Sequence, residues 1–406
     1  MTTKKKGGKP PRKDGPSGNG HGRGHARPGK EEAAPKAGKQ ASGESQKQKA
    51  LPPARALVPR SRAVARTALT LVTGGTGFLG AHLLEHLLAR GAGPLRVVTT
   101  GAPKWLSELG VEVIEGSLTS PEVCARAVAG VRHIFHLAGK VSRDPDQQRA
   151  MYEVHVDATR HLLEAAARAG TERVVLAGTS GTIAVTTDGK VTPDESSPEP
   201  TDIISRWPYY ASKAYQDRVA RGICAQANIE LVTVHPSLLL GPGDARLSST
   251  EDVLRFLGKK IPTLPSGGVS FVDVRDCAAA VAAAMALGKP GERYLVGGHN
   301  MTFEEFFGRL ERVSGVRAPW LKLPTRWVKP AARFMERLYE AFDRAAPVDA
   351  ESAEMGEFFW YTDSQKARTE LEFCPRDPTE TLADTVRYVR ERFMPDGGAF
   401  LAKSAG

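Results

Sequence analysis

Thr73-Gly74-Gly75-Thr76-Gly77-Phe78-Leu79-Gly80 follows the apolar run Ala68-Leu69-Thr70-Leu71-Val72. It leads into a segment where Phe78, Leu79, Leu83, Leu84, Leu87 and Leu88 recur at helical spacing before Gly91. The first run is short and β-prone, which predicts a buried strand. The second predicts a helix that stops near Gly91. A glycine turn by itself is equally a tight turn and nothing more. Flanked by a strand and a helix in that order, it is a site for a dinucleotide pyrophosphate. The turn lets backbone approach the phosphates, and the helix N-terminus offers unpaired N–H groups and a favourable dipole.

Outward from this stretch, short apolar runs alternate with amphipathic ones, which predicts a parallel sheet with helices on both faces. Further strands are expected at Leu95–Thr100, Val111–Ile114, His133–Leu137, Arg173–Ala177 and Ile229–Val234, with a seventh at Val269–Val274. Between them a helix over Pro121–Val128 has Ser120 as N-cap and proline at its first position. A long helix runs from Gln147 to Ala169, another starts near Tyr209, and a small-residue helix covers Cys277–Leu287. The fold class is therefore α/β, a Rossmann-type doubly wound parallel sheet over residues 67–290. A smaller, mostly helical C-terminal substrate lobe takes residues 291–406, with 237–265 contributing. There, Trp327, Phe334, Leu338 and Phe342 form an apolar stripe, read as the buried face of a helix rather than a membrane or substrate surface.

The formal charge of +10 is unevenly spread over the 406 residues. Residues 1–66 hold 17 basic and 4 acidic side chains, a net +13, which leaves the remainder at −3. That segment has no Phe, Trp or Tyr and little aliphatic content, so it cannot offset its ordering entropy and reads as a disordered basic tail. Without aromatic residues to stack on bases, it offers nucleic acid no more than a weak electrostatic contact. Cys124, Cys224, Cys277 and Cys374 lie far apart with no CxxC, which suits a reducing compartment and no metal. No apolar run reaches the ~18–20 residues of a membrane span, and the first residues lack a signal-peptide core. A cytoplasmic protein is expected.

Tyr209 and Lys213 stand four apart at the start of a helix and share one face. A tyrosine with its ordinary pKa near 10 is a poor acid–base catalyst. An ammonium one turn away stabilises the phenolate, lowers that pKa, and can also bond a cofactor ribose. Tyr-x-x-x-Lys alone is a loose pattern. Its weight comes from following the glycine turn, with the hydroxyls of Ala177-Gly178-Thr179-Ser180-Gly181-Thr182 between them at a strand's carboxyl end. Ligands of open parallel sheets bind at those ends.

Thr73-Gly74-x-x-Gly77-x-x-Gly80, His136-Leu137-Ala138-Gly139 and Tyr209-x-x-x-Lys213 together resemble the extended short-chain dehydrogenase/reductase superfamily, also called the epimerase/dehydratase family. Arg173–Val185, His235-Pro236-Ser237 with Gly241-Pro242-Gly243-Asp244, and Phe271–Asp276 resemble its dihydroflavonol 4-reductase-like branch. So do Glu292–Gly298 and Lys366-Ala367-Arg368 with Pro375-Arg376, and the resemblance spans about residues 68–395. It implies Thr179 as a catalytic hydroxyl (Ser180 if the register slips by one), Tyr209 as acid/base and Lys213 as its partner. Gly74, Gly77, Phe78, Leu79 and Gly80 would hold the pyrophosphate. Thr100, Ser117, Leu118, Leu137, Ala138 and Gly139 would line the adenosine side, and Pro236, Ser237 and Leu238 the nicotinamide side, with Tyr209 and Lys213 touching the cofactor.

Four positions depart from the family pattern. Ser117 replaces an acidic residue, His155 an asparagine, and Thr179 the commoner serine. Thr99-Thr100-Gly101-Ala102 carries no acid for a ribose 2′-hydroxyl, and Lys104 stands where it can meet a 2′-phosphate, which favours NADP over NAD. The implied activity is NAD(P)-dependent hydride transfer to a carbonyl, or from a secondary alcohol, of a small organic substrate. A nucleotide-sugar epimerase or dehydratase with tightly bound NAD, and a non-catalytic nucleotide sensor, are the alternatives. A homodimer through helices 147–169 and 209–227 is common in the superfamily.

Overall fold

The computed structural model describes residues 68–101, 103–323, 330–335, 337 and 350–395. The basic tail lies outside them, as do Trp327, Leu338 and Phe342 of the apolar stripe. Phe334, the remaining member, is 68% exposed.

Seven parallel strands form the main sheet: β1 (Thr70–Thr73), β2 (Leu95–Thr99), β3 (Glu112–Glu115), β4 (His133–His136), β5 (Arg173–Ala177), β6 (Glu230–Pro236) and, at its edge, Arg293–Val296. Their order is β3-β2-β1-β4-β5-β6 followed by that edge strand. The first pairings place Thr70 beside both Leu95 and His133. Every residue of β1 and β2 is buried, as expected of strands covered on both faces. On one face, α1 (Phe78–Ala89) buries Leu83, Leu84 and Leu87 against the small-residue helix Val274–Leu287. On the other, Leu71, Ile134, Val174 and Leu176 meet the helices carrying Cys124, Leu162, Leu163 and Cys224. Ser120 caps its helix as expected, accepting from the Val123 amide at 3.3 Å.

Two expectations are corrected. Val269–Val274 does form a strand, β8 (Gly268–Asp273), but it is not in the main sheet. The chain leaves β6 directly into β7 (Leu238–Leu240), and β7 captures β8 in parallel. A second sheet results, completed by His299–Thr302 and Phe359–Trp360. The helix expected from Gln147 to Ala169 is also interrupted: Gln148–Tyr152 and Ala158–Ala169 are α-helical, while Glu153–Asp157 is a wider π turn.

Behind the second sheet, Phe256, Phe271, Phe306, Phe307, Leu310 and Leu382 form a separate core. Among the described residues, no helix is long and apolar enough to cross a membrane. None of their His, Cys, Asp and Glu side chains are grouped so as to hold a metal ion.

Candidate active site

A cavity of ≈ 1070 Å³ runs along the carboxyl ends of β1 to β6. At one end the glycine turn fits a pyrophosphate. Gly74 has φ +70°, and a Cβ on it would stand 2.7 Å from the Ala138 amide. A Cβ on Gly80 would overlap the Gly74 carbonyl, so neither position admits a side chain. The Gly77 amide bonds the Gly74 carbonyl at 2.9 Å, and no side chain caps α1 at Gly77. The first turn of the helix therefore keeps its amides for a ligand. Phe78, Leu79, Thr100, Ser117, Leu118, Leu137, Ala138 and Gly139 line the same stretch.

At the middle of the cavity stand Thr179, Tyr209 and Lys213. Tyr209 and Lys213 come from α7 (Pro208–Ala227), whose proline at the first helical position starts the helix just before the tyrosine. Thr179 follows β5 in extended backbone and lines the cavity together with Tyr209. Its carbonyl is held by the Thr182 hydroxyl at 2.8 Å and by His235 Nδ1 at 3.2 Å. Lys213 is buried, and its Nζ donates to the Ala177 carbonyl at 2.7 Å and to Gln216 Oε1 at 2.6 Å.

From Gln216 the polar chain continues to the glycine turn. Gln216 Nε2 donates to Thr159 Oγ1 at 2.9 Å, which also meets His136 Nε2 at 2.8 Å. His136 Nδ1 lies 2.7 Å from Thr73 Oγ1, which accepts the Ala138 amide. Each ring nitrogen of His136 thus faces a threonine hydroxyl, which can donate or accept. Burial, and secondarily Lys213, press its pKa down to about 3.

The electrostatics differ from the expectation for Tyr209. Burial pushes its phenol up to about 12, and the neighbouring Thr179 hydroxyl offsets this only in part. Burial also lowers Lys213 to about 8. The lysine is spent on Ala177 and Gln216, so desolvation outweighs any lowering it exerts on the phenol.

On the nicotinamide side expected from the sequence, Pro236 and Ser237 line the cavity. Ser237 is buried and its hydroxyl has no partner among the described residues, as fits a group awaiting a ligand. Leu238 is turned into the second core and Leu239 lines the cavity in its place, because successive residues of β7 alternate faces.

At the far end of the cavity, residues 140–144, which sequence reasoning missed, meet residues 243–249, Glu251 and Arg255 of the 237–265 segment. Arg143 joins these segments by a bidentate pair with Asp252 at 3.0 and 2.8 Å. Asp244 folds the second segment by accepting from Ser248, Ser249 and Thr250. His155, noted only as a departure, also belongs to the cavity wall.

A switch point at strand ends, a glycine cradle and a proton-bearing phenol facing one cavity define a dinucleotide-dependent α/β enzyme. Residues 70–297 match the NAD dependent epimerase/dehydratase family, and the chain belongs to it. It is 31% identical over 329 residues to a putative dihydroflavonol 4-reductase of Synechocystis, covering 78% of this chain and 93% of that one. It is 32% identical to the sterol demethylase protein B of Methylococcus capsulatus, covering 80% and 99%. Among solved structures it is similar to the dTDP-glucose 4,6-dehydratase DesIV of Streptomyces venezuelae with NAD bound. That likeness has a TM-score of 0.61 at 25% identity, over 80% of this chain and 97% of the other. The protein is thus an NAD(P)-dependent oxidoreductase of the extended short-chain type, in its dihydroflavonol 4-reductase-like branch.

Proposed function

We propose that the protein reduces the carbonyl of a small organic molecule, or oxidises the corresponding secondary alcohol, with a dissociable nicotinamide dinucleotide. The observation that carries this is that Thr179, Tyr209 and Lys213 together line the middle of a cavity that begins in the glycine cradle. When bound, the cofactor supplies or accepts the hydride. Gly74, Gly77, Phe78, Leu79 and Gly80 would hold its pyrophosphate, and Pro236, Ser237 and Lys213 its nicotinamide half. With its pKa near 12, Tyr209 keeps its proton at neutral pH and can deliver it to a carbonyl oxygen as charge develops there. Thr179 orients that oxygen. Lys213, charged below pH 8, lends the electrostatic support that a departing phenol proton needs.

NADP is favoured over NAD in this reading. The end of β2 presents Thr99 and Thr100 with no carboxylate, and Lys104 follows at an exposed position. A homodimer through the Gln148–Ala169 segment and α7 also belongs to it, supported by the exposed Tyr152–Tyr215 pair at 6.0 Å. A cytoplasmic setting rests on four free cysteines, three of them buried.

The test is a titration of purified protein with NADPH and NADH by nicotinamide fluorescence, with nucleotide assayed after denaturation and turnover measured on a panel of ketones and aldehydes. Reversible binding, tighter for NADPH, with reduction of a member of the panel is expected. One nucleotide released per chain and no exchange would replace this reading with the epimerase one. Absence of both binding and nucleotide would refute it.

A further inference from the structure

The π turn at Glu153–Asp157 is the one break in an otherwise regular helical run, and it carries His155 into the site. Such turns swing a side chain off the face that α-helical spacing would give it. The ring is fully buried, and a Cβ on Gly139 would stand 3.2 Å from its Nε2. Its edge meets the Tyr209 ring at 5.8 Å between centroids and 72°.

Both ring nitrogens are engaged, and the directions of their bonds are fixed. The Lys140 amide donates to Nε2 at 3.1 Å, so Nε2 carries no proton. Nδ1 therefore holds the proton of the neutral ring and donates it to Ser212 Oγ at 2.9 Å. Ser212 in turn donates to the Tyr209 carbonyl at 2.9 Å. Burial, then the neighbouring Lys213 charge, keeps the ring unprotonated. One arm thus ends on the loop after β4, beside the adenosine wall. The other ends on the first turn of α7, beneath the phenol.

We propose that His155 is a positioning residue that sets the distance between the cofactor loop Gly139–Lys140 and the catalytic turn of α7. This rests on the function proposed above, and it assigns each ring nitrogen a separate effect. An asparagine carries its amide at the depth of Nδ1 and a glutamine at the depth of Nε2. His155→Asn therefore keeps the Ser212 arm and frees the Lys140 amide, whereas His155→Gln keeps the Lys140 arm and frees Ser212.

The experiment measures three quantities in both variants: the Kd for NADPH, hydrogen exchange of the Lys140 amide, and kcat on the best carbonyl substrate. For His155→Asn, Kd is expected to rise about fivefold, the loss of one hydrogen bond, with faster Lys140 exchange and kcat within twofold. For His155→Gln, kcat is expected to fall about fivefold, with Kd and Lys140 exchange unchanged. Equal changes in both variants, or a loss of Tm with Kd, exchange and kcat all unmoved, would overturn the proposal. The Lys140 exchange is read without turnover or nucleotide, so it tests the first arm even where the reductase reading fails. Should one variant not fold, the other still separates its retained arm from its lost one.

Discussion

The two ends of the cavity are built in opposite ways. The cofactor end is one contiguous stretch, β1, the glycine turn and α1, plus the tips of neighbouring strands. It works through backbone, and its key positions tolerate no side chain at all. The far end, where the proposed function would place the substrate, is assembled from residues 140–144 and 243–255, joined by the Arg143–Asp252 pair across 109 positions of sequence. That pair is partly exposed on both sides. One end is thus rigid and general and the other adjustable, as a family that keeps one cofactor and varies its substrates requires.

The contrast breaks hardest at Gly80. An alanine there drives its methyl into the Gly74 carbonyl. A clash with backbone costs roughly 1–3 kcal/mol, so NADPH affinity is expected to fall about 10- to 100-fold by fluorescence titration. An unchanged Kd would mean that the turn is not the cofactor's anchor.

Next in size is the alkaline limb of kcat/KM. Lys213 is charged below its pKa of about 8 and neutral above it. Activity that uses the ammonium should fall about tenfold per pH unit above that value, and Lys213→Arg should shift the limb upward. Stability has the opposite sense. Because the folded pKa lies below the ordinary 10.5, the fold resists the charge at neutral pH and is relieved of that cost between about 8 and 10.5. Urea denaturation of the wild type should therefore show resistance rising over that window, relative to Lys213→Met.

Ser237→Ala sharpens the comparison more gently. Its hydroxyl has no partner to lose, so Tm should not fall, while cofactor binding weakens about fivefold through one missing hydrogen bond. The smallest effect belongs to the far end. Arg143→Ala removes a partly exposed ion pair and should cost less than about 1 kcal/mol of stability, with KM for the carbonyl substrate changing and kcat holding.

The same contrast decides what could be read from sequence. The glycine turn, the hydroxyl after β5 and the Tyr209–Lys213 pair are local patterns, and their meaning survives without knowing what packs against them. Val269–Val274 announces a strand by its β-prone residues, but nothing local says that β7 will capture it for a second sheet. The break at Glu153–Asp157 is illegible because a π turn needs only one extra residue, and no glycine or proline between Gln148 and Ala169 announces it. Tyr209 was expected to be more acidic beside its lysine. Only the packed structure reveals that burial dominates and that Lys213 is bonded elsewhere. The Arg143–Asp252 closure was illegible for the plainest reason, since two charged surface residues so far apart give no sign that they meet.

The most direct test of the whole reading is Tyr209→Phe, assayed for turnover and for NADPH binding in the same preparation. The substitution removes one oxygen and the proton it holds beside Thr179, and leaves the glycine cradle untouched. Carbonyl reduction should drop by about 10²–10⁴-fold, with NADPH affinity within twofold of the wild type. Turnover at the wild-type rate in a variant that still binds NADPH would contradict the assignment of Tyr209 as the proton donor.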